Sequence, residues 1–263
     1  MAGALLREVG AALADLVLPR TCAGCGRPGA VLCPRCARCL AAPRPAQPRR
    51  FPDGFPPTVA AGAYAGPVRP AVNAFKEQGR AELATPLGAA LALAVAAVRL
   101  GAGDRSRPVL LVPVPTSPAA VRDRGRDHVR ELTGRAVGEL RAAGLPAAEC
   151  RALRRQGRVR DSAGLSAPER RANLAGTFAL DARRRPAGAL LVLVDDVVTS
   201  GATLSEAASV LAAGRGPHEL PVLAAVVAAT PRAPAGPGGA GRWRPANGPA
   251  ADLDRLSPPG RRD

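Results

Sequence analysis

Residues 190–204 read Leu-Leu-Val-Leu-Val-Asp-Asp-Val-Val-Thr-Ser-Gly-Ala-Thr-Leu, and this stretch constrains the fold more than any other. Five consecutive apolar residues, 190–194, show no polar alternation, which is the pattern of a strand buried on both faces of a parallel sheet. The apolar run ends in Asp195 and Asp196, and from 204 to 211 apolar residues recur at helical spacing. The stretch therefore predicts strand, acidic pair, hydroxyl-rich turn and helix. The acids fall at the carboxyl edge of the sheet, where open α/β sheets bind ligands.

The turn, Thr199, Ser200, Gly201, Ala202 and Thr203, is suited to an anion. The first N–H groups of a helix have no internal partner and carry partial positive charge. Gly201 has no Cβ to hold an anion away, and the hydroxyls add donors. Two carboxylates repel a phosphate, but they suit the hydroxyls of a sugar or a divalent metal. A P-loop would require a Lys in this segment, and a nucleophile elbow would require a Gly two residues before Ser200; neither is present. A phosphoacceptor domain has no use for five small residues after its acids. Acids and turn together predict a sugar phosphate site.

Val-Asp-Asp-Val-Val-Thr-Ser-Gly-Ala-Thr (194–203) resembles the phosphoribosyl pyrophosphate (PRPP) signature of type I phosphoribosyltransferases. The resemblance implies that Asp195 and Asp196 hold the ribose 2′ and 3′ hydroxyls and that Thr199, Ser200, Gly201, Ala202 and Thr203 hold the 5′-phosphate.

The formal net charge is +16, which by itself suggests a polyanionic partner. Lys76 is the single lysine, however, and Ala, Gly, Pro and Arg are used heavily throughout, as in proteins of GC-rich genomes. At 2% aromatic residues a base-stacking platform is not expected. No stretch is read as a membrane span. Leu5, Leu6, Val9, Leu13, Leu16 and Val17 recur at helical spacing among Arg7, Glu8 and Asp15, which suggests an amphipathic docking helix, and a cytoplasmic location is expected.

Cys22-Ala-Gly-Cys25 and Cys33-Pro-Arg-Cys36 form two matching knuckles, with Cys39 three residues further on. Four thiolates so spaced can close a tetrahedron around Zn²⁺, so Cys22, Cys25, Cys33 and Cys36 are the expected structural zinc ligands and Cys39 a spare or exchange ligand. The expected organisation is a helix and zinc module at 1–42, a Pro/Arg-rich linker at 43–57, the main α/β domain at 58–230 and a disordered tail at 231–263.

Within the main domain, strands are expected at 59–64, 109–114, 176–180 and 221–229 and helices at 67–77 and 82–100. The second strand runs into Pro113-Val114-Pro115-Thr116-Ser117, where an X-Pro bond is a candidate cis peptide. Arg122, Arg124 and Arg126 follow at alternate positions, which cannot all share one helix face. Pro115, Thr116, Arg122 and Arg124 are candidates for a pyrophosphate loop, because guanidinium groups bind phosphates in a bidentate manner. The Arg-rich segment 151–175 is expected to be a mobile loop over the site. His128, His218 and Cys150 are read as surface or structural groups.

Paired Cys-x-x-Cys knuckles, Val-Pro-Val-Pro, an Arg-Gly segment and the PRPP signature resemble, in that order, the ComF family over residues 5 to 230. Lys76, in Ala-Phe-Lys-Glu-Gln-Gly-Arg, is similar to that family's Lys-x-x-Gly segment, and is either a phosphate contact or a solvated side chain. The family commonly has Arg-Gly-Phe-Asn-Gln where this chain has Arg124-Gly125-Arg126-Asp127-His128, and Gln where it has Ser162. The resemblance implies a type I phosphoribosyltransferase-like parallel sheet flanked by helices, with a small N-terminal zinc module of four cysteines. It implies binding of PRPP or another ribose 5-phosphate compound together with Mg²⁺. Turnover as a glycosyltransferase, which would need no nucleophilic side chain, is left open. The resemblance also implies a link to DNA uptake (competence) or nucleotide salvage. The alternative is a non-catalytic adaptor that binds single-stranded DNA or a DNA-uptake ATPase. A homo-oligomer is compatible with either.

Overall fold

The computed structural model describes residues 20–46, 54–102, 106–156, 176–181, 184, 188–213 and 220–231. The expected helix over 5–18, most of the expected loop over 151–175, His218 and the tail beyond 231 lie outside the described residues.

The main sheet has six strands, β1 (Arg44–Pro45), β2 (Thr58–Ala63), β3 (Val109–Pro113), β4 (Ala147–Glu149), β7 (Leu190–Val198) and β8 (Leu223–Ala229), in the order β1-β2-β8-β7-β3-β4. All neighbours are parallel except β1 and β2. Two short strands, β5 (Leu153–Arg155) and β6 (Phe178–Leu180), pair antiparallel as a separate sheet. The expectation that residues 176–180 complete the main sheet is therefore corrected: with three residues, β6 pairs with β5 instead.

The strand expected at 190–194 runs on to Val198, so both acids lie within β7 and not after it. Pairing with β8 continues through Val198, which keeps the backbone extended past the charges. The helices expected at 67–77 and 82–100 form as α2 (Val68–Glu77) and α3 (Ala84–Leu100), the latter entered through a 3₁₀ turn. The other helices are α1 (Pro34–Ala37), α4 (Pro118–Arg124), α5 (His128–Ala142) and α6 (Ala202–Ala213). No cis peptide occurs among the described residues, Pro113 to Ser117 included.

Because successive side chains of a strand face opposite ways, β7 feeds two cores. Leu190, Val192 and Val194 pack with Val72 and Phe75 of α2, with α3, and with Leu132 of α5. Leu193 packs on the other side with Leu204, Ala207 and Leu211 of α6. The segment Ala81–Leu100 is long and apolar enough to cross a membrane, contrary to the sequence reading, but it is the core helix of the first layer and 61% of it is buried.

Part of the stretch read as a linker is structured. Arg44 and Pro45 form the edge strand β1, and the N–H of Ala46 donates to the carbonyl of Thr58. Proline is tolerated there because an edge strand leaves one side of the ladder unused.

At Gly88 of α3 a Cβ would collide with the Cβ of Arg135 on α5, whereas at Gly134 and Gly138 of α5 it would meet nothing within 4 Å. In an unobstructed helix, Gly→Ala stabilises by about 0.5–1 kcal/mol. Gly134→Ala and Gly138→Ala are therefore expected to raise the thermal unfolding midpoint, and Gly88→Ala to lower it despite the same gain in helix propensity.

Candidate functional site

The chain reaches β3, turns outward to β4, and later returns on the other side of β3 as β7, with β8 beyond it. The connections leaving β3 and β7 therefore diverge, which makes the carboxyl ends of these two strands a topological switch point, the place where open α/β sheets take ligands. On one side of it lies the β3 exit, Pro113 to Ser117, and on the other Asp195, Asp196 and the turn from Thr199 to Thr203.

Asp196 continues the row of Leu190, Val192 and Val194 and so faces α2 and α5. Its Oδ2 receives both Lys76 Nζ from α2, at 2.8 Å, and His128 Nε2 from α5, at 3.2 Å. Its Oδ1 accepts the N–H of Val197 at 2.7 Å, and the residue is only 2% exposed. Asp195, one step out of phase, is less buried, and its Oδ1 accepts the N–H of Asp196 at 2.9 Å.

These environments separate two chemically identical acids. Burial acts to raise the pKa of Asp196, but the hydrogen bond from His128 and the charge of Lys76 outweigh it and hold the carboxyl well below its usual range. Burial and the adjacent Asp196 charge raise Asp195 to about 8. Burial also works against the Lys76 charge, yet Asp196 and Asp195 hold its pKa above the ordinary value. At neutral pH the pair is one carboxylate and one carboxylic acid.

The turn opens α6 as its residues suggest. Gly201 is buried with φ of 79°, in the left-handed region, where a side chain would be strained. Thr199 and Ser200 are exposed, and Ala202 and Thr203 are half-buried.

The pyrophosphate-loop candidates divide. Thr116 donates to Asp127 Oδ1 at 3.1 Å, and the same carboxylate caps α5 by accepting the N–H of Arg130. The carbonyl of Pro115 accepts from Arg155 at 3.4 Å. Arg122 is exposed on α4. Arg124 makes a two-point contact with Glu77 of α2, at 2.9 and 3.0 Å. Arg126, half-buried, pairs with Glu131 and lies 4.1 Å from the ring centre of Phe75.

Two further residues join the site: Lys76, which the sequence left open between a phosphate contact and a solvated side chain, and His128, which it did not place there. Of the two readings of His128, surface or structural, the surface one is excluded: it is 3% exposed and bonded to Asp196. Its position, just after an Asp that can cap a helix, was the available signal. Cys150 is half-buried with its thiol toward the Arg184 carbonyl, and burial raises its pKa, as befits a packing role.

The Sγ atoms of Cys22, Cys25, Cys33 and Cys36 all lie within 4.8 Å of one another. Ligands about 2.3 Å from a tetrahedral Zn²⁺ stand roughly 3.8 Å apart, and Cys25 Sγ and Cys33 Sγ are 3.7 Å apart. The four-thiol donor set fits a closed zinc site. The thiol of Cys22 is brought to about 6: burial acts against this, but backbone donors led by the N–H of Cys33 prevail. Cys39 is exposed, with its thiol on the carbonyl of Arg35. Gly24 is required beside the cluster, since a Cβ would lie 2.9 Å from the carbonyl oxygen of Pro67 and 3.0 Å from Cys36 Sγ.

The paired acids fit a directly held Mg²⁺ poorly, because Oδ2 of Asp196 is already taken by Lys76 and His128.

Two outcomes follow. The raised pKa of Asp195 means that its carboxyl destabilises the fold as pH rises from about 4 to 8, so Asp195→Asn should gain stability over the parent chain with rising pH. The depressed pKa of Asp196 contributes stability above its unfolded value, lost as pH falls, so Asp196→Asn should cost about 3 kcal/mol at pH 7 and progressively less in acid. Thermal unfolding between pH 4 and 9 reads the first, and extending the series below pH 4 reads the second. Separately, elemental analysis is expected to find one zinc per chain, with chelation lowering the unfolding midpoint.

No family model matches the chain, and no curated protein is significantly similar to it.

Proposed function

We propose that the site between the carboxyl ends of β3 and β7 binds PRPP or another ribose 5-phosphate compound. The observation that carries this reading is the placement of an acidic pair and a hydroxyl-rich helix start on one strand end, at the switch point of a parallel sheet. Asp196, an anion, accepts from a sugar hydroxyl. Asp195, protonated at neutral pH, both donates and accepts, so the pair complements two adjacent hydroxyls. The 5′-phosphate lies at the start of α6, against the N–H groups and the hydroxyls of Thr199, Ser200 and Thr203. Mg²⁺ enters as the counter-ion of the ligand's pyrophosphate, and Zn²⁺ as a structural ion in the four-cysteine cluster.

The chemistry proposed for such a site is ribosyl transfer as in type I phosphoribosyltransferases. The C1–O bond to pyrophosphate breaks, a bond from C1 to the acceptor forms, and the acceptor's proton is released. Positioning and charge complementarity carry that reaction, and it needs no nucleophilic side chain. The proposed setting is cytoplasmic, in nucleotide salvage or DNA uptake.

The adaptor reading, with single-stranded DNA or an ATPase as partner, draws less support. Arg124, Arg126, Arg130 and Arg151 all pair with acids of the chain itself, which lowers the positive field near the site.

Calorimetric titration of the zinc-loaded protein with PRPP and Mg²⁺ is expected to show saturable binding. Asp195→Ala, which removes both the donor and the acceptor, should weaken it by about tenfold or more while the chain stays folded. Absence of binding to the parent chain, or unchanged affinity in the variant, overturns the assignment.

A further inference from the structure

We propose that Lys76 is a specificity-determining residue, held by Asp196 in the free protein and transferred to a phosphate of the bound ligand, so that Oδ2 of Asp196 opens to a sugar hydroxyl only when an anion arrives with it. The inference rests on the ribose phosphate reading of the site and adds a rule for what the site admits.

The argument begins with the acceptors of Asp196. A carboxylate oxygen has two lone-pair directions. On Oδ2 both are occupied, one by Lys76 and one by His128, whereas Oδ1 receives the N–H of Val197 in one of its two. A ribose hydroxyl can donate to Oδ2 only if one of its present donors leaves.

The two donors are not equally free to go. The His128 side chain is 4% exposed, sits in the first turn of α5 behind the Asp127 cap, and meets the edge of Phe75, whose ring Arg126 covers. Lys76 stands in the last turn of α2 with its side chain 29% exposed, on a flexible stem. The mobile donor is Lys76.

Its alternative partners decide when it moves. The nearest acid in sequence, Glu77, is held by the two-point contact with Arg124 and offers no competing charge. A neutral sugar would displace Lys76 into water and leave Asp196 buried with His128 alone, and separating a buried ion pair in this way is costly. A ligand that brings its own phosphate re-pairs the ammonium as it leaves and removes that cost. The site should therefore discriminate phosphorylated ribose from ribose by more than the contacts at the start of α6 supply. Inorganic phosphate should bind more weakly than ribose 5-phosphate, since it could draw Lys76 away but brings no sugar hydroxyls to the two acids.

Lys76 is the only lysine of the chain, so ¹⁵N-lysine labelling gives a single side-chain ammonium signal. That signal is expected to shift on saturation with ribose 5-phosphate or PRPP and to stay in place with ribose. A shift with PRPP alone assigns the lysine to the pyrophosphate; a shift with both assigns it to the 5′-phosphate. In parallel, Lys76→Met and Lys76→Gln should weaken the phosphate compound that moves the signal by about tenfold or more. Ribose affinity, read by ligand-observed NMR at millimolar concentration, should not fall, and Lys76→Arg should recover most of the loss. A structural role would lower both ligands together. If no phosphate compound that binds the parent chain moves the signal, or if the one that moves it binds the neutral variants equally well, the exchange is overturned and the site assignment stands. If neither binds the parent chain, both fall.

Discussion

A single buried carboxylate organises the functional end of this sheet. Asp196 is 2% exposed and remains an anion because α2 brings an ammonium to it and α5 an imidazole. Neither helix is placed there by charge alone. Phe75, one residue before the lysine, is fully buried in the core beneath α2, and Leu132, four residues after the histidine, does the same for α5. Hydrophobic packing thus sets the distances, and the ion pair then makes the acid tolerable in a site with little access to water. Core and site share the same two helices, so a change in the packing of either should be felt at Asp196.

The second consequence concerns division of labour between neighbouring acids. Asp195 and Asp196 are the same residue type one position apart, yet strand alternation places them in different surroundings, and one is held charged while the other is held neutral. Two acids of like charge so close would otherwise repel each other and the phosphate nearby. Splitting their protonation states gives the site one strong acceptor and one group able both to donate and to accept.

The central strand, the helix start after Gly201, the apolar helices and the four-cysteine cluster were legible from local pattern, because each is written in contiguous residues. The length of β7 was not: charged residues read as an end, but pairing with β8 continues past them. Residues 178–180 looked like another sheet strand, and only tertiary structure could show that they pair with 153–155. Lys76 and His128 stayed ambiguous for the same reason. They stand 120 and 68 positions from Asp196 in the numbering, and no periodicity links them to it. Arg126, seen in sequence as one of three loop arginines, proved to be a half-buried group lying over Phe75.

The four-cysteine cluster also bears on the rim of the sheet. The residues that follow it lie along β2: Leu40 enters the core, the carbonyl of Cys39 comes so near Gly62 that no side chain fits between them, and β1 pairs with Arg44 opposite Ala60. β2 is a six-residue apolar strand whose outer side would otherwise be an open row of N–H and C=O groups. Such an open edge is a template for pairing between molecules. The segment that leaves the thiol cluster thereby guards the edge of the sheet, so a module placed for its metal chemistry in sequence also closes off a pairing surface in the fold.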